Sequence, residues 1–464
     1  MTLNQFKRHG NWAINQNNMG RLILQNGDIL TLDDSKPLLT KYVLIINQST
    51  GLIEDLVPEN EYFKMDDDDV LDMTNKVIMP GLVDMHFHSA VARGWNDYMP
   101  LKEYLEECWY PSIRALDNES CYWVALASYL EAIKAGTTHV NDMYRFVGAL
   151  AKAAEKIGIR ATLANDVALP ENSIDTLEDA RESLEKYSNM ADGRINIRVG
   201  IEWLPLANKQ LLVDARKLAD EFHTGIHIHL NESPVEVEIV KKRTGGLGPA
   251  ALAYEAGILG PDCIAAHCVH LSDDEIQKMG ETHTFISHNP SSNAKLGNGI
   301  ARIFEWKKQG VIIGLGHDAA ECNNSRDMFE VMKFCSLIHR ASNQDPNLLQ
   351  AREILEMCCV NGNKGLNYTK YGEALKIGRL VKGYKADIIT LDMLSEKFIP
   401  ITRGKDPDHY YSNIVFSCNG SVVRDSIIDG KLVMKDRKMI GIDEKMIILK
   451  ANYYFNKIKN EIHK

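Results

Sequence analysis

The sequence predicts an α/β protein: a (β/α)8 TIM-type barrel with a small β-sandwich formed from both chain ends. Three observations carry that expectation. Eight short apolar runs succeed one another, VIMPGLVDMHFH, THVNDMY, RATLANDV, INIRVGIEW, TGIHIHL, CIAAHCV, HTFISHNP and VIIGLGHD. Helical patterns such as YWVALASYLEAIKAG, ALAKAAEKIG and LLVDARKLADEF lie between most of them, and such alternation is the signature of a parallel sheet with helical crossovers. β-texture then frames this core on both sides. An open doubly wound sheet is the alternative, but no GxGxxG follows the first strand.

Residues 1–80 and 376–464 are expected to form the sandwich, and residues 81–375 the barrel. RLILQNGDILTLDD and KYVLIINQSTGLIEDL are strand-rich, with Asn26-Gly27 a hairpin signal. The Asp66–Asp69 run reads as a solvated loop, a divalent-ion site being the alternative. Near the C-terminus YKADIITLDM, SNIVFSCNG and SVVRDSIIDGKLVMKDRKM read as strands and hairpins, and EKMIILKANYYFNKIKNEI as an amphipathic helix. Asn323-Asn324 is expected to cap the helix after the last barrel strand.

Composition narrows the class. The 464 residues are 45% hydrophobic and 25% charged, as in an ordinary globular protein, with a formal charge of −10 and no basic block. That balance argues against nucleic-acid or anionic-membrane partners. The nine cysteines include no CxxC pair, so a reducing cytoplasm is expected. The first twenty residues lack an apolar core segment, and no run approaches the ~18 apolar residues of a membrane span.

The chemistry gathers at the ends of the apolar runs. His86 and His88 are two apart on a strand, so both imidazoles point to one face and can converge on an ion. Alone that HxH is weak. In HIHLNE the period of two sets His227 and His229 opposite Ile226, Ile228 and Leu230, which faces them into a barrel. His229, nearer the strand end, is the better ligand; His227 lies deeper, as packing or as support. Glu232 falls just beyond the strand. His267 ends another run, with His270 a loop residue after it, and GLGHD ends in Asp318. TIM-barrel sites collect at the C-terminal ends of strands. Imidazoles plus one carboxylate suit Zn²⁺, with Fe²⁺ the alternative. Such an ion lowers the pKa of its water to about 7. Asp318 is placed to accept the proton, Glu232 to protonate a ring nitrogen, and His267 to orient the attacking oxygen.

The stretches VIMPGLVDMHFH, HIHLNE, IAAHCVHL, SHNPSSNAKLGNGIA and GHDAAECNNS occur in that order and resemble the amidohydrolase superfamily. The resemblance is strongest to the branch of 5′-methylthioadenosine/S-adenosylhomocysteine deaminases, guanine-type deaminases and atrazine-chlorohydrolase-like enzymes. It implies one divalent metal held by His86, His88, His229 and Asp318, proton transfer and orientation by Glu232 and His267, and release of ammonia from a small heterocyclic substrate. It also implies a homo-oligomer. Binuclear relatives carry a bridging lysine on the fourth strand; RATLANDV ends without one, which favours a single metal.

Departures touch the substrate. The loop HSAVARG is short, and Ile113 stands where nucleoside-type members place a ribose-binding glutamate. His317 replaces a small polar residue. Trp95, Tyr98, Trp109 and Tyr110 are candidates to line an aromatic pocket, with packing as the alternative, and Ser287, His288 and Asn289 are candidates for ring contacts or support. The leading function is deamination of a purine, pterin or triazine-type ring. The alternatives are the same site with an alkylamine, chloride or thioether leaving group, or a silent scaffold barrel, which has no chemical need for Glu232 and Asp318 together.

Overall fold

The computed structural model describes residues 20–462, apart from positions 91, 96, 370, 371, 374 and 405. The reading of the N-terminal segment against a signal peptide falls on positions 1–19, outside the described residues. Among those described, no helix is long and apolar enough to cross a membrane.

The barrel strands are Leu82–His88, Thr137–Met143, Arg160–Ala164, Ile195–Ile201, Ile226–Leu230, Cys263–His267 and Phe285–His288, followed by an eighth in two pieces, Ile313–Leu315 and Asp318–Ala319. Neighbouring strands pair in parallel. The eighth closes the ring: Ile313 registers with Ile286 of the seventh strand, and Asp318 with Phe87 of the first. Both faces of these strands are buried, which explains why they read as continuous apolar runs rather than alternating ones. At the opposite end Arg198 donates to the carbonyls of Gly365, Leu366 and Tyr368 at 2.9–3.1 Å. His139 pairs with Asn363 Oδ1 at 3.0 Å, so segment 363–368 is tied to the second and fourth strands.

Two sheets flank the barrel. A four-stranded one holds Arg21–Gln25, Tyr42–Asn47, Leu52–Pro58 and Asp69–Asp72; a seven-stranded one joins Asp28–Leu30, Leu38–Leu39 and Lys76–Pro80 to Ile388–Asp392, Val423–Ile428, Lys431–Lys435 and Lys438–Met439. Strands from the two chain ends thus share one sheet, over a core that includes Leu22, Leu44, Ile78, Ile388 and Ile427. The helix Glu444–Ile462 returns to the helix Asn118–Lys134 and buries Ile447, Ala451, Tyr454 and Ile458 at helical spacing.

Four local expectations are corrected. VIMPGLVDMHFH is two strands in different sheets, because the chain turns at Gly81, where a Cβ would lie 2.1 Å from Thr138 Oγ1. Asn26-Gly27 is no hairpin: Arg21–Gln25 and Asp28–Leu30 belong to different sheets, and the left-handed Asn26 (φ +69°) turns a corner between them. SNIVF lies in the helix Pro407–Phe416, capped by the Asp406 side chain with Pro407 at its first position; Tyr410, Tyr411, Ile414 and Val415 bury a helical stripe that overrides local β-propensity. RATLANDV is the third barrel strand, and the fourth ends at Ile201-Glu202, again with no lysine. In the acidic run, Asp68 accepts from Arg21 Nε at 2.8 Å and from the Tyr62 hydroxyl at 2.6 Å, and Arg21 first among these holds its carboxyl down to about 2.

Arg160, at the start of the third strand, joins barrel to sandwich. Its Nε and Nη2 donate to Asp387 at 2.6 and 3.0 Å, and Nη2 to Asp429 at 3.3 Å, all with side chains nearly inaccessible. Burial pushes Asp387 up, but the Arg160 guanidinium outweighs it and the carboxyl ends below its ordinary value. Arg160→Leu, which strands Asp387 in the interior, is expected to destabilise the fold by about 3–5 kcal/mol. Chemical denaturation reads this, and a loss no larger than the ~1 kcal/mol of a surface pair contradicts the assignment.

Candidate active site

The C-terminal ends of strands one, five, six and eight bring the predicted residues together. His88 Nε2 lies 3.3 Å from His86 Nε2 and 3.2 Å from His229 Nε2. Asp318 Oδ1 lies 3.6 and 3.4 Å from the nitrogens of His86 and His88. Two ligands about 2.0–2.1 Å from a tetrahedral ion stand roughly 3.3 Å apart, so these spacings fit one divalent metal.

The tautomers fit as well. His88 Nδ1–H donates to Met143 O at 2.5 Å, and His86 Nδ1 pairs with His227 Nε2 at 2.9 Å, leaving both Nε2 atoms toward the shared centre. Burial, then neighbouring imidazoles, hold His86 and His88 far below the ordinary range; burial and His267 bring His229 to about 4. Neutral imidazoles are what a cation needs.

Asp318 is left-handed at φ +77°, as are His267 at +70° and Asn231 at +50°. Strain of this kind gathers where a backbone must aim a functional side chain. Ser292 Oγ donates to Asp318 Oδ2 at 2.6 Å and Asn293 Oδ1 pairs with His267 Nδ1 at 2.9 Å. His267 Nε2 stands 3.9 Å from Asp318 Oδ2, and His267 Nδ1 3.7 Å from Glu232 Oε1. Glu232 is held by Asn298 Nδ2 at 2.9 Å, and its backbone N–H donates to Glu236 at 2.7 Å. Burial first, then Asp318 and Glu236, push the Glu232 carboxyl well above its usual range. A bound cation opposes the shift.

A narrow cavity opens above these groups. Leu101, Tyr104, Leu105, Trp109, Trp203 and Leu296 form its apolar wall, while Glu202, Glu232 and Asp318 supply its carboxyls. The helical segment from Leu101 to Arg114 widens by one residue at Leu105–Trp109, where Tyr110 N–H reaches back to Leu105 O. Trp109 then meets His88 edge-on at 5.1 Å, and the Tyr110 hydroxyl donates to Glu202 at 3.1 Å.

Other candidates sit elsewhere. Trp95 packs on Phe455 of the last helix at 4.9 Å and Tyr98 is 99% exposed; neither lines the cavity. His288 points away into a pair with His339 at 2.9 Å, beside Trp306, because successive residues of a strand face opposite sides. Ser287 and Asn289 bond each other at 3.0 Å and crowd Gly316, where a Cβ would lie 2.5–2.8 Å from them and from His86 N; they are support below the cavity. Ile113 is core. His317 Nδ1 bonds Asp84, and Arg326 Nη1 donates to His317 Nε2 at 3.1 Å. His270 Nε2 bonds Asn298 O at 2.6 Å, steadying the residue that holds Glu232. Asn324, left-handed, ends the short helix Ala320–Asn323, and Asp327 caps the next. Sequence reasoning missed Glu202 and Trp203, although a carboxylate directly after an apolar strand was a visible signal. It also missed Ser292, Asn293 and Asn298, whose roles depend on a helical turn.

The profile described as the amidohydrolase family matches residues 77–433. A 5-methylthioadenosine/S-adenosylhomocysteine deaminase of Syntrophomonas wolfei is 35% identical over 438 residues, 93% of this chain and 97% of its own. A 5′-deoxyadenosine deaminase of Methanosarcina mazei is 34% identical with the same coverage. The crystal structure of an adenosine deaminase from Xanthomonas campestris with bound zinc superposes with a TM-score of 0.86 at 22% identity, covering 95% of this chain and 98% of that one.

His229→Ala is expected to purify with little metal, as elemental analysis reads; full occupancy sinks its ligand role. His227→Ala should keep the ion but bind it roughly 10–100-fold more weakly in chelator competition, whereas unchanged affinity would make His227 mere packing.

Proposed function

The chain belongs to the amidohydrolase family, and on that premise we propose that it uses one divalent ion, zinc first, held by His86, His88, His229 and Asp318, to hydrolyse an amino group from an N-heterocycle. It is a hydrolase of non-peptide C–N bonds, and its relatives at 34–35% identity are deaminases of adenosine-derived purines, which makes a purine the first ring to test. One observation carries the reading: three imidazole nitrogens and a carboxylate oxygen converge at metal spacing beside a buried carboxyl, Glu232, whose hold on a proton burial strengthens.

When bound, the ion supplies the Lewis acidity that makes water nucleophilic at neutral pH. The chain's own groups then divide the proton work. Asp318 Oδ2, fixed by Ser292, takes a proton from the attacking water. Glu232 gives its proton to the ring nitrogen next to the reacting carbon, which raises that carbon's electrophilicity. His267, fixed by Asn293, orients the entering oxygen through Nε2. The proton on Asp318 passes to the amino group, which leaves as ammonia, and the proton of the added hydroxyl returns to Glu232 as the ring becomes a lactam. The apolar wall excludes water from these transfers. All nine cysteines are buried and unpaired, which supports a reducing, cytoplasmic setting.

Ammonia release from zinc-reconstituted protein, set against a chelator-treated control, tests the reading across 5′-substituted adenosines, free purines, pterins and aminotriazines. Metal-dependent ammonia from one class supports it; silence with metal bound rejects it. Glu232→Gln should retain the ion and lose about 10²–10⁴ in kcat, and a wild-type rate removes Glu232 from proton transfer.

A further inference from the structure

Glu202 is a carboxyl at the cavity that the proposed reaction leaves unused. It follows the fourth strand directly, beside the strand carrying His229, and is 3% exposed. It lies in the lining next to His229 and Trp109. The Tyr110 hydroxyl donates to its Oε2 at 3.1 Å and holds the group in place. A carboxylate offers about four acceptor sites, and a buried one is costly unless donors meet it.

The next residue, Trp203, lines the same cavity at 7% exposure, and among the described residues its buried indole N–H has no partner. Among the described residues no lysine or arginine lines the cavity. This stretch of wall therefore joins an acceptor and an unpartnered donor on consecutive residues. An occupant that satisfies both carries an N–H donor beside a ring acceptor, away from the carbon under attack.

Resting on the deaminase reading, we infer that Glu202 and Trp203 set substrate choice by reading such a donor–acceptor edge, selecting amino-heterocycles with a second amino group next to a ring nitrogen. A 2,6-diaminopurine has that edge. An N9-substituted adenine does not: apart from the amino group that leaves, its ring presents only acceptors, and one of them would face the Glu202 oxygens. Sites built around a hydrogen bond reject analogues that lack it far better than apolar pockets reject a missing methylene.

The test compares affinities of the zinc-loaded protein for 9-methylpurine and 9-methyl-2-aminopurine, which differ only in that amino donor, the second followed by its fluorescence. The 2-amino group is expected to tighten binding about tenfold or more. Glu202→Gln, which replaces an acceptor oxygen by a donor, should abolish the increment, and Trp203→Phe should shrink it. The preference in kcat/KM for 9-methyl-2,6-diaminopurine over 9-methyladenine should fall by a similar factor in Glu202→Gln. Equal affinity of the wild-type protein for the two purines overturns the inference, even if no variant folds. So does a Glu202→Gln protein that keeps the wild-type ratio. If neither ring yields ammonia the deaminase reading fails, while the binding increment still decides the role of Glu202.

Discussion

The site depends on how the barrel closes. Asp84, buried in the first strand, accepts from the backbone N–H of His317 at 3.0 Å, and its other oxygen meets the His317 ring. Arg326 completes the chain of bonds: one nitrogen donates to His317 Nε2, another to the carbonyls of His88 and Ala90, and its guanidinium lies 4.1 Å over the Phe87 ring. The link sits where the eighth strand breaks, between Leu315 and Asp318. Without it the first and eighth strands would have only the short pairing of Asp318 and Ala319 with Phe87 and His88. The register it holds is the one that sets the Asp318 carboxylate against the His86 and His88 nitrogens.

Burial does the electrostatic work from there. A low-dielectric interior disfavours every charge, so it lowers the proton affinity of the imidazoles and raises that of Glu232. The same physical term thus suits the imidazoles to a cation and the carboxyl to proton donation in one volume. Glu202 feels it less strongly: burial outweighs the Tyr110 and Trp109 hydrogen bonds and brings its carboxyl up to about 7, and an N–H donor on an occupant favours its ionised, accepting form. The left-handed backbone at Asn231, His267 and Asp318 shows that local conformation is subordinate to aiming these groups, at a cost of order 1–3 kcal/mol each that the packed strands beneath can bear.

Much of this was legible in the chain. Eight apolar runs at strand length, four of them carrying candidate chemistry at the C-terminal end, identify a barrel and place His86, His88, His229, Glu232, His267 and Asp318 near one another. Where the reading failed, it failed for tertiary reasons. SNIVF has β-formers but packs a helical stripe. Asn26-Gly27 has the residues of a hairpin, yet the strands it joins find partners in different sheets. His288 shares a motif with Ser287 and Asn289, but a strand sends neighbours to opposite faces, and only register says which face is inward. Trp95 is aromatic and near the site in sequence, and it is claimed by the last helix.

Sequence alone determined the fold class, the candidate ligand types and their order along the chain, because strand periodicity and residue chemistry are local properties. Only the tertiary structure decided the spacings of 3.2–3.6 Å among the candidate ligand atoms, the burial that raises the Glu232 carboxyl, and the recruitment of Glu202 and Trp203 to the wall. Those are consequences of distance and dielectric between segments far apart in the chain. Nothing local to either segment encodes them.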